Sequence, residues 1–109
     1  PDVKRIDVGG LGRTLRFHAV FGRAGANVDF VQIHNEILIV RTYERGVEAE
    51  TLACGTGVIA SAFVARVLGF GGSPVKVKVQ SGDTLSVSFD NGPRLEGPGE
   101  IIFSGEVFL

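Results

Sequence analysis

The fold is decided by residues 44–70, which read ERGVEAETLACGTGVIASAFVARVLGF. From Val58 to Phe70 this stretch is apolar at nearly every position, and only Ser61 and Arg66 are clearly polar. A helix that is apolar on all sides is normally surrounded by protein. About 13 residues are also too few to span a bilayer, which takes about 20. We therefore predict one central helix that is buried within a sheet.

The only cysteine of the chain, Cys54, lies where this helix begins. The first N–H groups of a helix lack internal partners and carry positive partial charge, so they bind carboxylates and stabilise a thiolate. Gly55 and Gly57 would let a ligand approach the backbone, and Thr56 adds a hydroxyl group. The alternative interpretation is a buried cysteine that packs as a small hydrophobic residue.

Composition narrows the class of protein. A length of 109 residues fits one domain. The net charge of −1 gives no electrostatic reason to expect nucleic acid or an anionic membrane as a partner. A single cysteine excludes an internal disulfide and a cysteine-rich zinc site, and we expect no metal. The chain opens with Pro1 and without a signal peptide, so we expect a cytoplasmic protein and a segment processed or excised from a longer one.

Periodicity predicts the remaining elements. Before the central helix these are a strand at residues 3–8, a turn at Gly9-Gly10, a short helix at residues 11–21, and a hairpin of strands 27–33 and 36–43 that turns at His34-Asn35. After it come a stop at Gly69, Gly71 and Gly72 and strands at residues 75–79, 85–89 and 101–109. We predict an α+β fold with a curved, barrel-like, mostly antiparallel sheet wrapped around one central buried helix. The last strand, about residues 106–109, is predicted to pair with something outside this domain.

Several polar residues allow two interpretations each. Asn27 stands at a strand entrance, where its amide would either reach a ligand or cap the loop. Glu48 and Glu50, in the loop before Cys54, would either be solvated or flank a bound zwitterion. For His18 we favour a surface or capping role over metal binding, since no metal partner lies nearby in the sequence.

Three segments resemble diaminopimelate epimerases. RTYERG at residues 41–46 and ETLACGTG at residues 50–57 look like the second active-site motif of that family. NVDFVQ at residues 27–32 resembles the strand upstream of this motif, and residues 95–106 resemble the end of the family's sequence. The similarity covers essentially the whole chain, which corresponds to the second half of the family's protein.

The resemblance implies a fold, an activity and a set of roles. The family has two similar domains with the active site between them, and it interconverts LL- and meso-2,6-diaminopimelate without pyridoxal phosphate or another cofactor. Cys54 would be one of two acid/base thiols, and Glu44 would support proton transfer and contact substrate. Gly55 and Thr56 would bind the α-carboxylate, and Asn27 and Arg45 would contact substrate as well. Residues 1–109 would then be the C-terminal domain, with the N-terminal half as partner and a homodimer as the expected assembly.

The chain also departs from the family pattern. It lacks the Cys-Gly-Asn motif with the second thiol, and Glu48-Ala49 stands where one glycine is typical. The chain alone is therefore expected to be inactive. Two alternatives remain: another isomerase of the same fold, of the proline racemase or phenazine-biosynthesis kind, or a non-catalytic binding domain.

Overall fold

The computed structural model describes residues 2–70 and 72–109, and it shows an α+β fold. The elements are α1 (Val8–Arg16), β1 (Val28–His34), β2 (Ile37–Glu44), β3 (Ala49–Thr51), α2 (Gly55–Val67), β4 (Val75–Lys78), β5 (Thr84–Ser88) and β6 (Arg94–Glu96). Short 3-10 turns occupy Val3–Arg5 and Ala19–Phe21. None of the helices in the described ranges has both the length and the apolar character needed to cross a membrane.

The six described strands form one mixed, open sheet. Five of them follow the order β1-β2-β4-β5-β6, and β3 pairs with β2 outside this order. One edge of β2 pairs with β1 along almost its whole length, and the other edge pairs with β4 near Leu38 and with β3 near Tyr43. Only β2 and β4 are parallel, so the predicted mostly antiparallel pairing is confirmed. Parallel neighbours need a crossover connection, and α2 supplies it across one face of the sheet.

Aliphatic packing joins α2 to that face. The buried residues of this core lie on α2, on strands β2, β4 and β5, and directly after β4: Leu38, Val40, Val58, Ala62, Ala65, Val75, Val77, Val79 and Val87. The alternation predicted for residues 75–79 and 85–89 is thus confirmed as a buried face, and the hairpin of β1 and β2 is confirmed too.

The prediction that the sheet wraps around α2 is wrong for this chain. The outward side of the helix is open: Phe63, Val64 and Val67 are 56%, 54% and 70% exposed. The described sheet is open, with unpaired edges at β1 and β6, and it covers only one side of α2. The hydrophobicity of a helix shows that its sides favour burial, but it does not show that the same chain provides the cover.

The N-terminal segment covers the opposite face of the sheet. The helix predicted at residues 11–21 is confirmed in part, since α1 includes residues 11–16, but the structure predicted for residues 3–10 is wrong. Residues 3–8 form no strand, and Gly9-Gly10 is no turn but lies inside α1. The reason is helix capping: the Asp7 side chain accepts a hydrogen bond from the Gly10 N–H (3.0 Å) and starts α1 there. Gly12 of α1 then packs directly on the Tyr43 side chain, which leaves no room for a Cβ at that position.

The C-terminal residues differ from prediction as well. The short strand β6 was not predicted, and residues 97–109 form no strand, contrary to the one expected at residues 101–109. The side chains of Ile101, Phe103 and Phe108 are at least 86% exposed, because no described strand lies beside this segment. Helix α2 ends before Gly69, whose φ of +83° is left-handed; Gly71, also predicted to end the helix, lies outside the described residues.

Candidate active site

Cys54 is the N-cap residue of α2. Its backbone is extended (φ −136°, ψ 111°), and its carbonyl accepts the first helical hydrogen bond from the Val58 N–H (2.9 Å). No side chain of the described residues caps this helix, which leaves the N–H groups of Gly55 and Thr56 available to a ligand. Cys54 is partly exposed rather than sealed in the core.

Two polar side chains approach the sulfur atom of Cys54. The Thr56 Oγ1 lies 3.5 Å away, in the first turn of α2. The Asn27 Nδ2, just before β1, lies 4.0 Å away and is oriented as a donor to the sulfur. A thiol with two hydrogen-bonding groups beside the start of a helix is suited to carry a proton and to tolerate the resulting charge.

Asn27 also connects Cys54 to the end of β2. Its Oδ1 accepts a hydrogen bond from the Arg45 N–H (2.8 Å). The sheet register explains this contact: Val28 pairs with Tyr43, so the residues just outside this pair, Asn27 and Glu44, are neighbours. Asn27 therefore caps the turn after β2 and also contacts the thiol. The capping interpretation has a structural counterpart, and a contact with a ligand stays a prediction.

Glu44 and Arg45 lie where β2 ends. Glu44 is the last residue of β2 and is half-buried, and its carbonyl accepts a hydrogen bond from the Glu48 N–H (2.8 Å). The Arg45 guanidinium is exposed and donates to the Ala24 carbonyl (3.4 Å). The structure thus brings Asn27 and Thr56 to the sulfur of Cys54, while Arg45 contacts Asn27 through its N–H and Glu44 neighbours Asn27 through the strand register.

The two acidic residues of the loop before Cys54 are engaged in ion pairs. The Arg16 guanidinium binds the Glu48 carboxylate, and hydrogen bonds from Arg16 lower the pKa of Glu48. The Arg41 guanidinium binds Glu50 through two hydrogen bonds (2.6 and 2.7 Å), and this carboxylate raises the pKa of Arg41, with burial acting in the opposite direction. Neither glutamate is simply solvated, and neither is free to flank a zwitterion as suggested.

Gly57 does not provide the open backbone that its sequence position suggested. It is buried, and a Cβ there would collide with the carboxylate of Asp29 on β1. That carboxylate accepts a hydrogen bond from the Thr42 hydroxyl (2.5 Å) and lies by the positive end of α2, where an acidic group is stabilised. No sequence pattern indicated this role for Asp29. The alternation of polar and apolar residues in β1 indicates on which face of the strand Asp29 lies, but it does not indicate a contact with Gly57 of α2, 28 residues later. By contrast Gly55 is exposed.

His18 has the capping role that the sequence favoured. Its Nδ1 accepts a hydrogen bond from the Val20 N–H (3.1 Å) at the start of a 3-10 turn. Within residues 2–70 and 72–109, no group of three or more His, Cys, Asp or Glu side chains is arranged to hold a metal ion. The groups that the structure places at the candidate site are the Cys54 thiol, the N–H groups at the start of α2, the Asn27 amide and the Thr56 hydroxyl.

Comparison with known proteins shows which family this chain resembles. The sequence model of the family described as "Diaminopimelate epimerase" matches residues 1–102. The protein of that name from Aquifex aeolicus is 44% identical over 109 residues, which cover 98% of this chain and 37% of the relative. Those from Methanocella arvoryzae and Chlorobaculum tepidum are 43% and 41% identical, over 97% and 99% of this chain.

The chain spans about two-fifths of the length of these curated relatives. The match nevertheless extends over nearly all of the chain, including every residue of the site around Cys54. This chain therefore belongs to the diaminopimelate epimerase family.

Proposed function

We propose that residues 1–109 are the C-terminal domain of a diaminopimelate epimerase that works without a cofactor, in the cytoplasm, on the route to lysine and peptidoglycan. The proposal depends above all on one observation: Asn27, held by the Arg45 N–H, and Thr56 approach a partly exposed Cys54 at a helix start whose N-cap side chain forms no capping hydrogen bond. The names of the relatives support it, since each is called a diaminopimelate epimerase.

The geometry suggests how the domain takes part in the reaction. The N–H groups of Gly55 and Thr56 bind the α-carboxylate of the substrate. The thiolate of Cys54 removes the α-proton, and negative charge then grows on the carboxylate, where the helix N–H groups stabilise it. Glu44 supports this proton transfer, while Asn27 and Arg45 hold other polar groups of the substrate.

Inversion of a carbon centre needs an acid on the face opposite to the base, and this chain has one cysteine. We propose that the second thiol belongs to an N-terminal domain of similar architecture, which faces Cys54 across the active site. Residues 106–109 pair with that domain as a strand, and the complete protein forms a homodimer. The 109-residue chain by itself does not epimerise substrate.

The test is the substitution Cys54→Ala in the complete protein that contains this chain. We expect epimerisation of LL-diaminopimelate to fall by about 10³-fold or more, because the loss of a positioned acid/base group typically costs 10² to 10⁴. Activity is measured by incorporation of solvent deuterium at the α-carbon. Cys54→Ser is the matched variant that keeps a hydrogen-bonding side chain, and it should be impaired as well because a hydroxyl is a much weaker acid.

An unchanged rate in Cys54→Ala would remove this sulfur from the mechanism. Rapid epimerisation by the isolated 109-residue chain would contradict the requirement for a second thiol. The circular dichroism spectrum and unfolding temperature of each variant serve as the control for folding.

A further inference from the structure

We propose that Arg16 and Glu48 form a positioning pair, which holds the two segments that carry Asn27 and Glu44-Arg45 in register with each other. Neither residue touches the substrate in this account. The proposal rests on the function proposed above, since it assigns the pair to the same site.

The pair has well-defined geometry. The Arg16 Nε lies 3.0 Å from Glu48 Oε1, and the Nη2 lies 2.9 Å from Oε2, so two parallel hydrogen bonds join the groups. The Arg16 side chain is only 10% exposed and that of Glu48 is 32% exposed. An ion pair that is largely shielded and bidentate fixes the relative position of its two segments far better than a surface pair does.

Arg16 also contacts the loop that leads into β1. Its Nη1 donates to the Ala24 carbonyl (3.4 Å), and a Cβ on Gly25 would collide with the guanidinium. Gly25 is therefore needed for the close approach of Arg16, and its φ of +68° is left-handed in any case. This loop ends at Asn27, the residue that contacts the thiol of Cys54.

On the other side of the pair, Glu48 belongs to the turn that follows β2. Its N–H donates to the Glu44 carbonyl (2.8 Å), which closes the turn over residues 44–48. Glu48 has a φ of +59°, an uncommon conformation for a residue other than glycine. The hydrogen bonds to Arg16 offset this unfavourable backbone conformation.

One guanidinium thus joins the segment before Asn27 to the segment after Glu44. The pairing of Val28 with Tyr43 brings the two segments side by side, but beyond this pair their direct link is one exposed hydrogen bond, from the Arg45 N–H to Asn27 Oδ1. Acid/base catalysis depends on placing groups to within a fraction of an ångström, and misplacement by about 1 Å can cost 10²-fold in rate. The shielded pair supplies the rigidity that this placement requires.

The test compares Glu48→Ala with Glu50→Ala in the complete protein. Glu50 is the matched control because it forms a similar bidentate pair, with Arg41, on the strand next to the same turn. Arg41 reaches the carbonyls of Val3, Lys4 and Ile6 instead of the loop before Asn27. Both variants should therefore lose thermal stability, and only Glu48→Ala should lose catalytic efficiency.

We expect kcat of Glu48→Ala to fall about tenfold, because the loop before Asn27 and the turn that carries Arg45 lose their fixed orientation beyond the strand pair. The kcat of Glu50→Ala should stay within about twofold of the unsubstituted protein when both are assayed well below their unfolding temperatures. Glu48→Gln keeps an oxygen that accepts from Arg16, so it should recover most of the loss. If Glu48→Ala does not fold, Arg16→Lys takes its place with the same expected loss, because a lysine cannot form two parallel hydrogen bonds to Glu48.

A second readout does not need activity. Amide hydrogen exchange in residues 44–48 and 24–27 should be faster in Glu48→Ala than in Glu50→Ala. Equal kcat losses in Glu48→Ala and Glu50→Ala, no loss in Glu48→Ala, or a loss in Glu48→Gln as large as that in Glu48→Ala would overturn the proposal. If the unsubstituted protein epimerises nothing, the proposed function fails, and the exchange rates alone then decide whether the pair positions these segments.

Discussion

The two faces of the sheet are covered by different kinds of contact. Helix α2 covers one face through an aliphatic core that includes Val58 of the helix and Leu38 of β2. The outward side of the helix is exposed. The N-terminal segment covers the other face with two buried valines, Val3 and Val8, and with the backbone of Gly12 against Tyr43. Two arginines tie it down: Arg16 binds Glu48, and Arg41 of β2 binds three carbonyls of the segment. Aliphatic packing tolerates an incomplete cover, whereas contacts made by a single glycine or guanidinium depend on exact placement.

This difference explains where the candidate site lies. The start of α2 comes from the aliphatic face, and the segments with Asn27 and Arg45 are held by the arginine contacts of the N-terminal segment. Cys54 stands where the two kinds of cover meet. A substitution on either face should therefore affect the site, but the loss in the free energy of unfolding should differ between the two faces.

The largest effect is expected for Leu38→Ala on the aliphatic face. Leu38 is fully buried beneath α2, and such a truncation typically lowers the free energy of unfolding by about 2–5 kcal/mol. The matched control is Val67→Ala on the exposed side of α2, which should change it by no more than about 0.5 kcal/mol. Denaturant unfolding monitored by circular dichroism measures both. A loss above about 1 kcal/mol in Val67→Ala would show that this side is covered after all.

Gly12→Ala tests the close contact on the opposite face. The added methyl group would overlap the Tyr43 side chain, which is buried, so we expect a loss of about 1–3 kcal/mol in the free energy of unfolding. Gly9→Ala in the same helix has room for the methyl group and should gain up to about 1 kcal/mol through helix propensity. Thermal unfolding of the two variants gives the comparison, and a neutral Gly12→Ala would mean that α1 can move off the sheet at little cost.

The smallest effect is expected from acid. Hydrogen bonds from Arg16 lower the pKa of Glu48, so the folded state binds fewer protons there than the unfolded state. This contribution to stability is fully present above the unfolded-state pKa of about 4.3 and is lost as the pH falls through the lower, folded-state pKa. The unfolding temperature of the unsubstituted chain should thus approach that of Glu48→Gln as the pH decreases below about 4. A constant difference over that range would assign the stabilisation to something other than the charge of Glu48.

The aliphatic face could be predicted from the sequence to a large extent. Alternation identified the hairpin and strands β4 and β5, and the apolar run identified α2, because each signal is repeated over many neighbouring residues. The three-residue strands β3 and β6 are too short to show a period. The exposure of Phe63 and Val67 could not be predicted, since it depends on how many strands the sheet has.

The arginine face and much of the site could not be predicted in this way. The motif around Cys54 pointed to the helix start, and the structure places Asn27 and Thr56 beside its sulfur. The pairing of Arg16 with Glu48 joins residues 32 positions apart, and no local pattern specifies such a contact. Asp7 shows the same limit at short range. Its side chain caps α1, so Gly9 and Gly10 lie in a helix where the sequence pattern indicates a turn.

The Ala24 carbonyl accepts from both Arg16 and Arg45, and it is a main-chain atom. A change of the side chain at this position leaves the acceptor in place, so homologues can vary residue 24 without losing the contact. Inserting or deleting one residue between Phe21 and Asn27 would instead displace the acceptor from both guanidinium groups. Loop length and the glycine at position 25, more than the side chain of residue 24, are therefore the properties that keep this contact in place.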